Sequence, residues 1–235
     1  MNRRNEFAEA ISQGLAGWYQ FQMSLGTGRL LNEDAAKLIV TQISTSRNVG
    51  GIEVSACPTN WGKTQKRVDI AICANSKTSS WKGAIEVKWL NDSSNPILMR
   101  YLILKDILRL ASIQTSNLNA KLLVVGGVDK QFDRMFGETG KTWRSTQKSR
   151  DIFKALLKRD KDHNKGKATL RQLKENFDKI EAGLPNTEIL HAGGGIKTEL
   201  LARDSCKLHD EHGRVYVWQC NRRVGPKSKL PSISD

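Results

Sequence analysis

The sequence has few of the residues that mark a fibrous, secreted or membrane-spanning chain. Its 235 residues include only 5 Pro and 19 Gly, too few for a collagen-like or low-complexity protein. No apolar run approaches the ~18–20 residues that a membrane-spanning helix requires. No apolar segment follows the polar N-terminal residues, as a secretory signal would need. The 4 Cys are too few and too scattered for a disulfide scaffold, so we expect a reducing, cytoplasmic environment.

Positive charge is what the sequence has in abundance. The chain carries 38 Lys+Arg against 24 Asp+Glu, a formal net charge of +14. Its length fits one domain of ordinary size, and the recurring Trp, Leu, Ile and Val exclude an intrinsically disordered chain. An excess of one sign concerns partners rather than fold. Nucleic acid is therefore the first candidate partner, and an anionic membrane surface is the second and less favoured one.

The positive charge is concentrated in one part of the chain. Residues 141–182 contain 13 basic and 6 acidic residues, a net of +7, which is half of the total excess. Such a stretch is either a solvated helical face with polar loops or a lobe that contacts phosphates, whose binding weakens steeply with salt. In the second interpretation the contacting residues are Lys141, Arg144, Lys148 and Arg150.

A second candidate contact with nucleic acid is the loop between the first two predicted strands. Trp61 stands there among Lys63, Lys66 and Arg67. Aromatic rings among cations can stack on bases or insert into a groove. The alternative is a Trp side chain that packs beneath its own loop.

Hydrophobic patterning predicts a mixture of helices and strands. An Asn at a helix start accepts backbone N–H groups, so Asn32 predicts a second helix with Glu33 in its first turn. Pro96 is a favoured first residue for a long helix with Leu98, Leu102 and Leu108 on its apolar stripe. The predicted helices cover residues 5–23, 33–46, 97–115, 147–160 and 168–182. The predicted strands cover residues 51–57, 67–73, 82–89, 121–126, 187–192, 196–204 and 214–220.

Acidic residues stand within two strands that are otherwise apolar. Asp69 lies in the second predicted strand, and Glu86, Val87 and Lys88 are consecutive in the third. Residues two apart share a strand face, so Glu86 and Lys88 point the same way. Antiparallel neighbours would bring Asp69 to the same polar cluster. An acid among Val and Ile side chains must be paired, protonated or bound to a metal ion, because an isolated buried charge is too costly.

A hard divalent cation is one resolution of this problem. Two neighbouring carboxylates raise each other's pKa, and Mg²⁺ prefers carboxylate and carbonyl oxygens while keeping several waters. An adjacent Lys can orient or deprotonate the water that attacks a phosphate and can stabilise the charge that develops. The ordinary alternative is a surface acid–base pair, since Glu-X-Lys is common on exposed strands.

The cluster and the order of elements around it resemble the PD-(D/E)XK nuclease superfamily, which has the restriction-endonuclease-like fold. Asp69 matches the first acid, Glu86-Val87-Lys88 matches the (D/E)XK triplet, and Val68 stands where the motif has Pro. The order helix, three strands, helix, strand over residues 30–130 matches the core of that family. The resemblance implies an α/β (α+β) core with a central mixed sheet flanked by helices.

The same resemblance implies the roles of the site residues. Asp69, Glu86 and the Val87 carbonyl would hold Mg²⁺, for which Mn²⁺ would substitute, and Lys88 would serve the hydrolytic water. Many members add a Glu from the preceding helix. Glu33 is the candidate for this role, and Glu6 and Glu9 are weaker alternatives.

These observations predict a Mg²⁺-dependent endonuclease that acts on DNA and belongs to a restriction or phage-defence type. Cutting both strands of a duplex would favour a homodimer. Three alternatives remain open, which are a non-catalytic nucleic-acid-binding or regulatory protein on the same fold, a nuclease that acts on RNA, and a nuclease that acts on recombination or repair intermediates.

The C-terminal part of the chain is predicted to be an extension. We place the N-terminal helix and the nuclease core in residues 1–140. A basic helical segment and a β-hairpin in residues 141–235 would pack on that core as part of one compact domain, with a flexible tail over 222–235. This segment also contains a possible zinc-ligand group, formed by Cys206, His209, His212 and Cys220. The alternative for that group is a plain hairpin with a polar turn.

Overall fold

The computed structural model describes residues 3–28, 31–46, 52–54, 68–75, 78–113, 120–136, 144–160, 162–176 and 194–223. These residues form an α/β structure in which helices flank a seven-stranded mixed sheet. The predicted coarse fold class is therefore confirmed. The helices are α1 (Arg3–Ser24), α2 (Glu33–Ser46), α3 (Pro96–Ser112), α4 (Asp129–Phe136), α5 (Arg144–Leu156) and α6 (Leu170–Asn176). The strands are β1 (Ile52–Val54), β2 (Ile70–Asn75), β3 (Thr78–Leu90), β4 (Ala120–Val128), β5 (Lys165–Thr169), β6 (Gly195–Leu208) and β7 (Glu211–Arg223).

The helices that border the site begin at asparagine caps. Asn32 Oδ1 accepts the backbone N–H of Ala35 at 2.9 Å, which satisfies one of the free donors at the start of α2. Asn95 Oδ1 accepts the N–H groups of Ile97 and Leu98 at the start of α3, and Pro96 follows as the first helical residue. Both helix starts agree with the sequence-based predictions.

The sheet has the strand order β1-β2-β3-β4-β7-β6-β5. Strands β1, β2 and β3 are antiparallel neighbours, whereas β3 and β4 are parallel. Parallel strands require a crossover connection, and α3 lies within the connection between β3 and β4. Strand β7 then pairs antiparallel to β4, and the β6–β7 hairpin carries the sheet on to β5.

Two hydrophobic cores lie on opposite faces of this sheet. In β4, Leu122 and Val124 pack into the core that contains buried residues of α1 and α2. Leu123 and Val125 pack into the core that contains residues of α3, α4 and α5. This alternation explains why β4 is an apolar run without polar positions, because both of its faces are buried.

The C-terminal part differs from its prediction. The β6–β7 hairpin was expected in an extension, but β7 is hydrogen-bonded to β4 and is therefore part of the central sheet. The sheet therefore contains strands from both sides of the predicted boundary at residue 140. Helix α4 and strand β5 were not predicted. The predicted strand over 187–192, residues 177–182 of the predicted helix over 168–182, and the tail beyond residue 223 lie outside the described residues.

None of the helices in the described parts of the chain is long and apolar enough to cross a membrane.

Candidate active site

The candidate site lies where β2 begins beside the middle of β3. Pairing between these strands starts at Ile70, opposite Ile85. Asp69 is the residue before Ile70, and its Oδ2 accepts the backbone N–H of Val87 at 2.8 Å. The prediction that Asp69 lies inside the strand is therefore wrong by one residue. The reason is physical, since the carboxylate takes the place that a strand carbonyl would have in the ladder.

Glu86 and Lys88 project from β3 on the side of the sheet that α3 covers. Their intervening neighbour Val87 is buried in the core on the opposite face, as the alternation of strand side chains requires. The side chain of Glu86 is 1% exposed and that of Lys88 is 9% exposed. A carboxylate and an ammonium at this depth need charged partners, because removing them from water without compensation is costly.

The Lys88 ammonium is held by groups from three elements. Its Nζ lies 3.1 Å from Glu33 Oε1 at the start of α2 and 3.2 Å from Asp106 Oδ2 in α3. It also donates to the Val87 carbonyl at 3.1 Å. The structure therefore places the predicted Glu33 directly against the predicted Lys88, although 55 residues separate them in the chain.

A second ammonium, that of Lys37, links the two more exposed acids. Lys37 Nζ lies 2.8 Å from Glu33 Oε1 and 3.0 Å from Asp69 Oδ1. Glu33 and Lys37 are four residues apart in α2, the spacing that brings side chains together on one helix face. Sequence reasoning missed Lys37, and its position one turn after Glu33 is the signal that points to it.

Two further residues of the site come from α3. Arg109 Nη2 lies 3.2 Å from Glu86 Oε1, and it also contacts Asp106 Oδ1. The i, i+3 spacing of Asp106 and Arg109 predicts that they pair within α3, but it does not predict the contact of Asp106 with Lys88. Asp106 is only 2% exposed. The signal for this in the sequence is an acid directly before the apolar Ile107 and Leu108 of α3.

Burial and charge shift the pKa values of this cluster. Burial raises the pKa of Glu86 well above its usual range, and the negative charges of Asp106 and Asp69 raise it further against the opposing effect of Arg109 and Lys88. Burial also raises the pKa of Asp106, although Lys88 and Arg109 oppose this. For Lys88, burial lowers the pKa, but Asp106, Asp69 and Glu33 raise it more, so the net shift is upward. Lys88 is therefore a cation at neutral pH.

The chemistry of the donor set fits a divalent cation. Glu33, Asp69, Glu86 and Asp106 face the cationic side chains of Lys37, Lys88 and Arg109, a formal excess of one negative charge when every acid is ionised. Glu86 Oε1 and Asp106 Oδ2 are buried, and each lies 3.2 Å from one cationic side chain, that of Arg109 and that of Lys88 respectively. The same residues contain no group of three His, Cys, Asp or Glu side chains arranged to ligate one ion. Mg²⁺ does not need such a cage, since it is usually held by one or two carboxylates together with waters and substrate phosphates.

The raised pKa of Glu86 predicts how stability depends on pH. In EDTA, the folded chain holds the Glu86 proton more tightly than the unfolded chain, whose Glu pKa is about 4.3. The stabilisation by that proton is complete below the unfolded pKa and is lost as the pH rises through the folded pKa. The variant Glu86→Gln lacks this loss. Its free energy of unfolding relative to the wild type is expected to grow from acidic to neutral pH by about 1.4 kcal/mol for each tenfold difference in proton affinity.

Urea unfolding of both proteins at a series of pH values measures this difference. A difference that stays constant between pH values of about 4 and 8 would mean that Glu86 ionises normally in the folded chain.

The residues predicted to contact nucleic acid are placed only in part. Arg144 and Lys148 lie in α5. Arg150, in the same helix, is 5% exposed, so its guanidinium belongs to the interior and its prediction as a surface phosphate contact is wrong. The apolar face of α5 carries it inward together with Phe153. The remaining predicted contacts lie outside the described residues; they are Trp61, Lys63, Lys66, Arg67 and Lys141.

The possible zinc-ligand group does not assemble. Cys206 is paired with Gly213 and packs into the core beneath α1, whereas Cys220 is paired with Thr198 and packs into the opposite core. Seven residues of β7 separate Gly213 from Cys220, about 23 Å along a strand. The two thiols therefore cannot share one ion. Burial raises the pKa of Cys206 to about 11, and burial also raises that of Cys220, as expected for thiols packed in apolar cores.

Comparison with known proteins adds no assignment: no protein-family model, curated protein or solved structure matches this chain.

Proposed function

We propose that the chain is a Mg²⁺-dependent nuclease that hydrolyses phosphodiester bonds in DNA. The observation that carries the proposal is the meeting of Glu33, Asp69, Glu86 and Lys88 at one point of the sheet, with contacts of 2.8–3.2 Å through Lys37 and Arg109. Acids that a basic protein buries together on an apolar sheet cost stability. A functional role for them is the simplest reason to retain this arrangement.

The topology around the cluster supports the PD-(D/E)XK character of the proposal. The acids lie on the sequence of elements α2-β1-β2-β3-α3-β4. The first acid precedes one strand, and the Glu-X-Lys triplet lies on its antiparallel neighbour. This is the order of helix, three strands, helix and strand on which the resemblance was based. The remaining strands continue the same sheet beyond β4.

In this proposal Asp69 and Glu86 hold Mg²⁺, with the Val87 carbonyl as a further oxygen donor. The ion would supply Lewis-acid stabilisation of charge on the phosphate. The Lys88 ammonium would donate hydrogen bonds to the attacking water or to a phosphate oxygen. Glu33 Oε1, 2.8 Å from Lys37 Nζ and 3.1 Å from Lys88 Nζ, would hold the Lys88 ammonium in position for this role.

A non-catalytic nucleic-acid-binding protein on the same architecture is the second candidate. The observation that favours it is the occupation of the acids by internal cations. Lys37 contacts Asp69, and Arg109 contacts Glu86, so the two carboxylates assigned to the ion already have partners. In such a protein the cluster would be a buried ion-pair network whose role is structural.

One assay separates these candidates. Purified protein is incubated with supercoiled plasmid, linear duplex, single-stranded DNA and RNA, each with Mg²⁺, with Mn²⁺ and with EDTA. We expect metal-dependent cleavage of DNA that EDTA abolishes. Cleavage of RNA alone would reassign the substrate, and binding without turnover in either metal would favour the non-catalytic candidate. Simultaneous cutting of both plasmid strands would support a homodimer, since each chain carries one site.

A further inference from the structure

A second charged feature lies outside the candidate active site. An open cleft of about 860 Å³ lies between the C-terminal end of α5 and the β6–β7 hairpin. Five cationic side chains and two carboxylates line it, a formal excess of three positive charges. The cationic residues are Lys154, Lys158, Arg159, Arg203 and Arg214, and the acidic residues are Asp160 and Asp204.

Three of these cations are not neutralised by a neighbour. Arg214 lies 2.8 Å from Asp129 and 3.3 Å from Asp133, so its charge is balanced within the protein. By contrast, no carboxylate of the described residues lies within 4.0 Å of the side-chain nitrogens of Lys154, Lys158 or Arg203. Their charges are therefore open to an external anion.

Hydrogen bonds from side chains of β6 and β7 to backbone carbonyls hold the walls of the cleft in place. Trp218 Nε1 in β7 donates to the Lys158 carbonyl at 2.8 Å. Arg203 Nη1 in β6 donates to the Arg159 carbonyl at 2.9 Å. The segment that follows α5 is thus tied to both strands of the hairpin. A cleft that is already ordered loses less entropy when it binds a ligand than one that must first be ordered.

Arg159 is fixed in the wall of the cleft by an aromatic contact. The Arg159 guanidinium lies 4.1 Å from the centre of the Phe136 ring, a cation–π contact that fixes its position. Burial lowers the pKa of Arg159 and the positive charge of Arg214 acts in the same direction, whereas Tyr216 and Asp133 oppose this shift.

The cleft lies on the same side of the sheet as the candidate active site. Across the sheet, Lys88 is paired with Val125 of β4, Val125 with Tyr216 of β7, and Tyr216 with Arg203 of β6. Val125 and Tyr216 pack into the core on the α3 side, where Lys88 meets Asp106. The backbones of Lys88 and Arg203 are three strand spacings of roughly 4.8 Å apart, which is about 14 Å.

We propose that this cleft binds the phosphodiester backbone of a nucleic acid, with Lys154, Lys158 and Arg203 as the phosphate contacts. The inference rests on the proposed function, because it places an anchor for the same substrate about 14 Å from the cluster that would cleave it. An open, cationic cleft lined by long side chains suits an extended polyanion, and it contributes affinity without reading sequence.

The test compares two triple variants of the full-length chain that remove the same charge. Lys154→Gln, Lys158→Gln and Arg203→Gln together neutralise the cleft. Lys165→Gln, Lys167→Gln and Lys197→Gln together form the control. The control residues are exposed and alternate along β5 and β6 with residues buried towards α5, so they occupy the opposite face of the sheet.

Binding to a labelled DNA duplex and to an RNA of equal length is measured by fluorescence anisotropy in EDTA, between about 50 and 200 mM salt. Each lost phosphate contact lowers the salt slope by about 1. We expect the cleft variant to lose a slope of about 3 and at least roughly tenfold in affinity at low salt, and the control to keep most of both. Circular dichroism establishes that both variants are folded.

Equal losses in the two variants, or no loss in the cleft variant, would overturn the inference. Salt-dependent loss with RNA but not DNA would support the phosphate site and assign it to RNA. Plasmid cleavage with Mg²⁺ is measured in parallel, so the two proposals fail separately. Cleavage combined with unchanged binding by the cleft variant removes the cleft and keeps the nuclease. Cleft-dependent binding without any cleavage keeps the cleft and removes the nuclease.

Discussion

Replacement of Glu86 by glutamine is expected to abolish Mg²⁺-dependent DNA cleavage while DNA binding is retained. Glutamine has the same shape as glutamate, so a side chain that is 1% exposed is exchanged without leaving a cavity. It lacks the charge that holds a divalent cation. Stabilisation of the reacting phosphate by a metal ion is worth several kcal/mol, which corresponds to a loss of cleavage rate of roughly 10³-fold or more.

Plasmid cleavage and thermal unfolding with and without Mg²⁺ measure this effect by two independent readouts. Mg²⁺ is expected to raise the melting temperature of the wild type, because a ligand that binds only the folded state stabilises it. The variant is expected to lose that rise. Glu199→Gln is the matched control, since Glu199 is a partly exposed carboxylate of β6 outside the cluster. Undiminished cleavage by Glu86→Gln would refute the assignment of Glu86 to the ion.

Replacement of Lys88 by methionine is expected to remove cleavage and to destabilise the fold as well. Methionine keeps the apolar length of the side chain but removes the ammonium that lies 3.2 Å from Asp106. Breaking one side of a buried ion pair costs about 3–5 kcal/mol, and Arg109 remains beside Asp106, so we expect the lower end of that range. Loss of one preorganised charge-stabilising donor lowers the rate by about 10²–10³-fold.

A double variant separates the two roles of Lys88. Asp106→Asn added to Lys88→Met removes the carboxylate that would otherwise be left without its ammonium. Residues in direct contact are coupled by about 0.5–3 kcal/mol, so the double variant is expected to recover part of the lost stability in urea unfolding. Its cleavage is expected to stay absent, because no ammonium is present near the phosphate. Recovery of cleavage together with stability would instead give Lys88 a purely structural role.

The candidate site was predictable because its signals are local. Acids flanked by Val and Ile are visible in the sequence, as are the alternation that places Glu86 with Lys88 and the cap that places Glu33 at a helix start. The exact bound of β2 was not predictable, since Asp69 uses its carboxylate where a strand residue would use its carbonyl. Leu98 was expected on the buried stripe of α3 but is 54% exposed. Buried positions of a helix depend on which neighbours cover it, and these are not local.

The contribution of α3 to the site was only half predictable. The spacing of Asp106 and Arg109 predicts a pair within the helix, and that pair is present. The spacing does not predict that both residues also contact β3, where Asp106 pairs with Lys88 and Arg109 pairs with Glu86. These contacts depend on how the crossover helix lies on the sheet. The same limit applies to the cleft, whose cations come from α5, from the segment after it and from β6.

The sequence by itself determined the coarse α/β class, the excess of positive charge and the residue types of the candidate site. These properties follow from composition, periodicity and caps, each of which acts over a few neighbouring residues. Only the tertiary structure decided that β7 pairs with β4 and extends the central sheet, that Lys37, Asp106 and Arg109 complete the charged cluster, and that Cys206 and Cys220 lie in opposite cores. Such arrangements are set by hydrogen bonding and packing between segments far apart in the chain. Local sequence patterns do not specify which of these segments pair or in which register.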